Sequence, residues 1–386
     1  MDVLGLLIAL TAIYVAAKGL GELAERLGQA PVLGELVAGV LLGGSVLALV
    51  NPKEHTLHLM AELGVLILLF EIGLQSNLGE LMRVGVRSLL VALAGMLFPF
   101  LFGWGVMAAL GHTSLASVFM GAALTATSVG ITARVLADMG KIQSAEAKII
   151  IGAAVIDDIL GLVVLALVKG FAEHGEISAG SAIRMTLAAL GFFTIAVIAG
   201  QLLAPRLVAL ASRMRVRGVL LVSCLSFAFL LAIAAQLIGS ATIVGAFAAG
   251  LVLAGTERKI HIEEQVRPLA DFFVPIFFAT VGAAVDVRFF NPFDPDRRGA
   301  LVLAALLLAA ALAGKMLCGF FAGRGGRGIN RLAIGIGMIP RGEVGLVFAG
   351  IGLATGAATA ESYAALVVVV ILTTFLAPPL LRASFR

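Results

Sequence analysis

Two carboxylates stand side by side in the run Ile151-Gly152-Ala153-Ala154-Val155-Ile156-Asp157-Asp158-Ile159-Leu160-Gly161, where everything around them is apolar. A charged side chain at the centre of a membrane-crossing helix costs about 2.5–3.5 kcal/mol on insertion scales, so such a residue marks a functional site by default. Two together need a cation. Neighbours on a helix diverge by about 100°, so Asp157 and Asp158 cannot share one partner symmetrically, and two different jobs are expected. The competing reading is a pair that only fixes helix packing through hydrogen bonds. A third ionisable group, Lys315, lies in Ala311-Leu-Ala-Gly314-Lys315-Met-Leu-Cys-Gly319, with apolar residues on both sides that prevent easy snorkelling. It needs a carboxylate, and the aspartate pair is the obvious supply. Burial and a neighbouring ammonium act in opposite senses on a carboxylate's proton affinity, so such a pair can be poised to trade a proton for a hard cation.

Stepping outward, 61% of the 386 residues are hydrophobic and only 13% are charged, far from the composition of a soluble domain. The expectation is an all-α membrane protein forming one membrane domain over residues 1–386, embedded in the lipid bilayer. Windows of about 17–25 apolar residues occur thirteen times, near 3–21, 32–50, 59–75, 88–110, 114–138, 146–169, 180–204, 218–238, 240–255, 269–285, 299–322, 329–353 and 362–381. The first follows Met1-Asp2 without a basic leader or cleavage site and is read as a retained span. With the N-terminus outside, inward loops carry nineteen Lys and Arg against six in outward loops, while Lys315 and Arg341 fall inside spans. That asymmetry predicts N-out, C-in. The net charge of +4 therefore reports topology, and no basic patch with interleaved aromatics points to nucleic acid. Cys224 and Cys318 lie in apolar spans and suggest neither a disulfide nor a metal site.

Two windows carry helix-breaking chemistry. The fifth reads Gly121-Ala-Ala-Leu-Thr125-Ala-Thr127-Ser128-Val-Gly130, and the twelfth reads Gly335-Ile-Gly337-Met-Ile-Pro340-Arg341-Gly342-Glu343-Val-Gly345. Pro340 removes a backbone donor and clashes with the preceding turn, so the twelfth should break there. The hydroxyls of Thr125, Thr127 and Ser128 can replace backbone partners in the fifth, where a break and a mere kink both stay open. Because the fifth and twelfth spans are an odd number apart, they cross in opposite senses, as in an inverted repeat matching spans 1–6 to spans 8–13. Arg341 and Glu343 could neutralise the half-helix ends meeting at mid-membrane; direct cation binding by Glu343 is the alternative. Glu35, Glu62, Glu71 and Asp271 are expected to serve structure rather than ion contact.

The runs Ala126-Thr-Ser-Val-Gly-Ile-Thr-Ala-Arg134, Gly152-Ala-Ala-Val-Ile-Asp157-Asp158 and Pro340-Arg-Gly-Glu343-Val-Gly, together with Pro31-Val-Leu-Gly-Glu35-Leu-Val-Ala-Gly39, resemble NapA-type sodium/proton antiporters of the monovalent cation:proton antiporter 2 family. The resemblance spans about residues 30 to 380. It implies a thirteen-helix homodimer with two crossing broken helices. A moving core of about 88–171 and 299–381 would face a dimer-side scaffold of about 1–87 and 218–285, with a linker helix at about 178–204. It implies that Asp158 is the main ligand of Na⁺, that Asp157 pairs with Lys315, and that Thr127 and Ser128 lie beside the site. It further implies exchange of Na⁺ or Li⁺ for H⁺ across the cell (inner) membrane, with no cofactor and no enzymatic activity. Asp-Asp where potassium-efflux relatives have Gln-Asp favours sodium over potassium. A K⁺/H⁺ antiporter and a sodium-coupled organic-anion symporter are the rival transporters. An intramembrane aspartyl protease is disfavoured because its aspartates come from two helices, and a channel would not need so costly a titratable pair.

Overall fold

The computed structural model describes residues 2–27, 29–52, 54–76, 78–174, 179–240, 242–285, 298–323, 329–341, 345, 356 and 358–385. Among these the protein is helical throughout: α1 Val3–Arg26, α2 Pro31–Leu42, α3 His55–Gln75, α4 Leu78–Ala109, α5 Ser114–Ala123, α6 Val129–Asp138, α7 Ala145–His174, α8 Ala179–Arg213, α9 Val219–Leu237, α10 Thr242–Leu253, α11 Lys259–Ala283, α12 Arg298–Cys318, α13 Arg331–Gly337 and α14 Ala360–Ser384. Eight of the described helices are long and apolar enough to cross a bilayer. The chain is a multi-pass membrane protein.

Two windows hold helices shorter than their apolar length suggests. The window 32–50 holds a helix of only 12 residues, because at Gly43 the chain turns back on the helix end. Ala48 N there donates to Gly43 O and Val50 N to Leu42 O, both at 2.9 Å. The window 240–255 likewise contains only the 12 residues of α10, about 18 Å of helix where a bilayer core is about 30 Å. Conversely α8 extends to Arg213 and α11 starts at Lys259, so charged helical turns project beyond the apolar windows.

The helices pack in two groups. In one, α3 lies against α10 and α11, α2 against α1 and α11, and α9 against α10. In the other, α4 packs on α5, α7 and α12, while α12 and α13 pack on α14. The groups meet where α6 touches α2 and α3 and where α14 touches α2. Small residues permit the closest approaches, as expected where helices pack within lipid. A methyl group at Gly250 of α10 would run into the carbonyl oxygen of Phe70 on α3. Gly250→Ala should therefore cost about 1–3 kcal/mol, read as a lower thermal midpoint in detergent. Gly105→Ala in α4, where a methyl meets nothing within 4 Å, should be neutral or slightly stabilising.

Candidate cation-binding site

The fifth window is broken, not kinked. Its first half, α5, is capped by Thr113, whose Oγ1 accepts from Ala116 N at 3.3 Å, and it ends at Leu124. Residues 125–127 are non-helical, and α6 begins after Ser128. Thr125 Oγ1 donates to Ala122 O at 2.7 Å, beside the backbone bond from Thr125 N to the same carbonyl at 3.0 Å, so the hydroxyl reinforces the turn that ends α5. The twelfth window breaks where proline chemistry demands: α13 ends at Gly337 and the chain leaves the helix before Pro340. The two breaks touch. Ser128 N donates to Pro340 O at 2.7 Å, Thr132 Oγ1 to Gly337 O at 2.6 Å, and Thr127 Oγ1 approaches Met338 O at 3.5 Å. Orphan carbonyls at the end of α13 are thus satisfied from α6 and the strand before it. Thr132→Val removes the donor to Gly337 O and should cost about 1–3 kcal/mol, the range for a buried polar group left unsatisfied; thermal unfolding in detergent checks it.

Lys315 reaches this crossing from α12. The residue before it, Gly314, packs on Pro99 of α4 so closely that a methyl there would lie 2.7 Å from Pro99 N. The lysine lies in the last α-helical turn of α12, closer to a helix end than the apolar window suggests, yet its side chain is fully buried. A 3₁₀ turn, Gly319–Ala322, continues the helix beyond it. Lys315 Nζ donates to Thr125 O and Thr127 Oγ1, each at 2.7 Å, and stands 3.4 Å from Asp157 Oδ2. All three ammonium donors are used, on a carbonyl, a hydroxyl and a carboxylate. This is an oxygen cage of the kind a hard cation takes.

Asp157 and Asp158 are both buried, at 2% and 8% exposure, and Asp157 faces the lysine. Asp157 Oδ1 has no hydrogen-bond partner among the described residues. Arg341, fully buried, donates through Nη1 to Ala126 O, just past the carboxyl end of α5. Its carbonyl accepts from Thr374 Oγ1 of α14 at 2.7 Å. A guanidinium there faces the negative end of a half-helix. Gly342 and Glu343 lie outside the described residues.

A family model described as the transmembrane sodium/hydrogen exchanger matches residues 6–385. The chain belongs to that family. The high-affinity Na⁺/H⁺ antiporter NhaS3 of Synechocystis is 47% identical to this exchanger-family chain, over 99% of it and 90% of the relative. The Na⁺/H⁺-K⁺ antiporter GerN of Bacillus cereus is 36% identical over 97% of the chain and 94% of its own length. In fold, the chain resembles the sodium proton antiporter MjNhaP1 of Methanocaldococcus jannaschii, with a TM-score of 0.69 at 17% identity, covering 98% and 97% of the two chains.

Sequence reasoning passed over charges that the structure makes prominent. Arg134 Nε stands 3.0 Å from Asp138 Oδ1 one turn on in α6. It also interacts electrostatically with Glu35 of α2 and Glu71 of α3, across the junction of the two helix groups. Glu35, expected to serve structure rather than ion contact, is 2% exposed. Glu146, the first residue of the 146–169 window and given no role from sequence, is buried and bonded to the backbone of Asn330 at the start of α13. The i,i+4 spacing of Arg134 and Asp138 was the available signal for the first pair; nothing in the sequence signalled the second.

Proposed function

We propose that this chain is a secondary active antiporter that exchanges Na⁺ or Li⁺ for H⁺. The observation that carries the reading is the crossing itself: two interrupted helices joined by the Ser128–Pro340 backbone bond, beside a buried Asp157–Lys315 pair and a second buried aspartate. Family membership and the antiporter names of the relatives support it. Interrupted helices that place carbonyls and helix ends at a buried site are the transporter solution for binding a small ion inside a membrane.

In this reading Asp158 is the principal Na⁺ ligand, with oxygens of Asp157, Thr127 and Ser128 and backbone carbonyls of the crossing completing the shell. Thr127 is held by Lys315, so sodium approaching the hydroxyl's remaining lone pair is repelled by the ammonium until that group moves or loses its proton. The lysine and the arriving cation therefore compete for the same oxygens. Asp157, Asp158 and Lys315 carry the exchanged protons, and Arg341 with Glu343 balances the half-helix ends. Energy comes from the ion gradients.

The proposed motion is of a core, about 88–171 and 299–381, against a scaffold, about 1–87 and 218–285, with residues 178–204 as linker. The grouping of the described helices and their meeting at α2, α3, α6 and α14 support this division. Thirteen spans in two inverted six-helix repeats, N-terminus outside and C-terminus cytoplasmic, assembled as a homodimer in the cell membrane, complete the proposal. The purified protein in proteoliposomes, loaded with a pH-sensitive dye and given Na⁺, Li⁺ or K⁺ across a range of pH, tests it. Na⁺ and Li⁺ should collapse an imposed pH gradient without any organic substrate. Failure of both cations at every pH, or a requirement for an organic anion, would overturn it.

A further inference from the structure

The amino end of α13 is assembled from three helices. Asn330 is its N-cap, with Oδ1 accepting from Ala333 N at 3.0 Å. In a self-contained capping box the side chain three residues after the cap reaches back to the cap's own backbone N–H. Ala333 cannot do this. Glu146 of α7 does it instead, its Oε1 accepting from Asn330 N at 2.9 Å. Because Glu146 also lies in the first turn of α7, its carboxylate serves the positive ends of two helices. The remaining group of Asn330 is used too: Nδ2 donates to Ser384 O, at the end of α14, at 2.6 Å.

A helix of 7 residues has no independent stability, so its placement is set by what grips its ends. The far end of α13 is the crossing, where Gly337 O and Pro340 O accept from Thr132 and Ser128. Helix α7 addresses both ends of this short rod. Asp157 follows Glu146 by eleven residues, about three turns and only about 20° around the helix. Helix α7 therefore meets the start of α13 through Glu146 and its end through Ile150, which packs on Gly337, and carries Asp157 on to Lys315.

We propose that Glu146 and Asn330 are positioning residues for the cation site: the capping box split between α7 and α13 sets how far α13 reaches along α7. It thereby sets the placement of the carbonyls of residues 338–340 relative to Asp158. This rests on the antiporter reading. Hard cations of different size are told apart by the spacing and rigidity of their oxygen ligands, so a loosened rod should change the preference between Li⁺ and Na⁺ as well as the affinity for each.

The test is Na⁺- and Li⁺-dependent proton movement by wild-type, Glu146→Ala, Glu146→Gln and Asn330→Ala proteins in proteoliposomes. Glu146→Ala should raise the Na⁺ KM by about threefold or more and shift the ratio of the Na⁺ and Li⁺ KM values by about twofold or more, the scale of one weakened hydrogen bond. The maximal rate should stay within about twofold, since the bond is to a group that does not itself carry the ion. Glu146→Gln, which retains an acceptor oxygen, should restore the ratio. Asn330→Ala should move it in the same direction as Glu146→Ala and serves as the test if that variant does not accumulate in membranes. An unmoved KM ratio in folded variants, or a loss of rate alone, would overturn the positioning role while leaving the antiporter reading intact. Absence of exchange in the wild type would overturn both.

Discussion

Asp158→Asn is expected to abolish Na⁺-dependent proton movement while leaving a folded, membrane-inserted protein. The substitution keeps side-chain size but removes the charge that a bare cation needs as compensation for its lost hydration. Charge-assisted contacts are about twice as strong as neutral ones, and every 1.36 kcal/mol of lost stabilisation is about a factor of ten in rate. Activity should thus fall below about a tenth of wild type. Retention of more than that tenth would remove Asp158 as the indispensable ligand. A collapse of the fold would instead assign the residue to packing.

The second large effect is expected at Lys315. Its ammonium is bound by Thr125 O, Thr127 Oγ1 and Asp157 Oδ2, all buried. A cation arriving at Asp158 repels that ammonium and competes for its oxygens. If sodium displaces one proton carried by Asp158 in the empty site and the lysine then gives up its own, two protons leave for each sodium bound and the cycle moves net charge. An inside-positive potential, set with potassium and valinomycin, should accordingly change the steady-state sodium gradient. An unchanged gradient would refute the two-proton cycle and leave Lys315 a permanently charged strut. Lys315→Gln cannot titrate, so it should stop transport or leave an electroneutral exchanger. It should also destabilise the protein by about 3–5 kcal/mol, because removing one partner of a buried pair leaves the other charge uncompensated. Adding Asp157→Asn should recover most of that loss, as the stranded charge goes with it. A Lys315→Gln variant with full activity, unchanged charge movement and an unchanged thermal midpoint would take the pair out of both mechanism and stability.

Some of this architecture was legible because its causes are local. Apolar windows report helices in lipid, since every backbone group there must be satisfied within the segment. Pro340 ends α13 whatever surrounds it, because no context returns the missing N–H. That Asp157, Asp158 and Lys315 needed partners followed from the cost of a charge in an apolar run. The lengths of helices were less legible: α2 stops at Leu42 because the chain folds back at Gly43, while the residues beyond remain apolar. Hydropathy reads solvent preference and not backbone direction.

The sequence by itself determined that two carboxylates and one lysine would be buried in apolar spans and that the twelfth window would be interrupted. Residue chemistry left the pairing open, because two adjacent aspartates differ only in the direction they face, and family resemblance alone implied Asp157. Tertiary structure decided that Asp157 meets Lys315 across 158 residues of chain, through the rotation of α7 and the close seat of α12 on α4 at Gly314. It decided that the fifth window breaks fully, since Ser128 N and Thr132 Oγ1 find acceptors at Pro340, beyond α13, and at Gly337, its last residue, that no local pattern could supply. It gave Glu146 a task 184 residues away, at Asn330. A charge's need for a partner is a property of the residue, whereas the partner's identity is a property of how helices distant in sequence come to lie side by side.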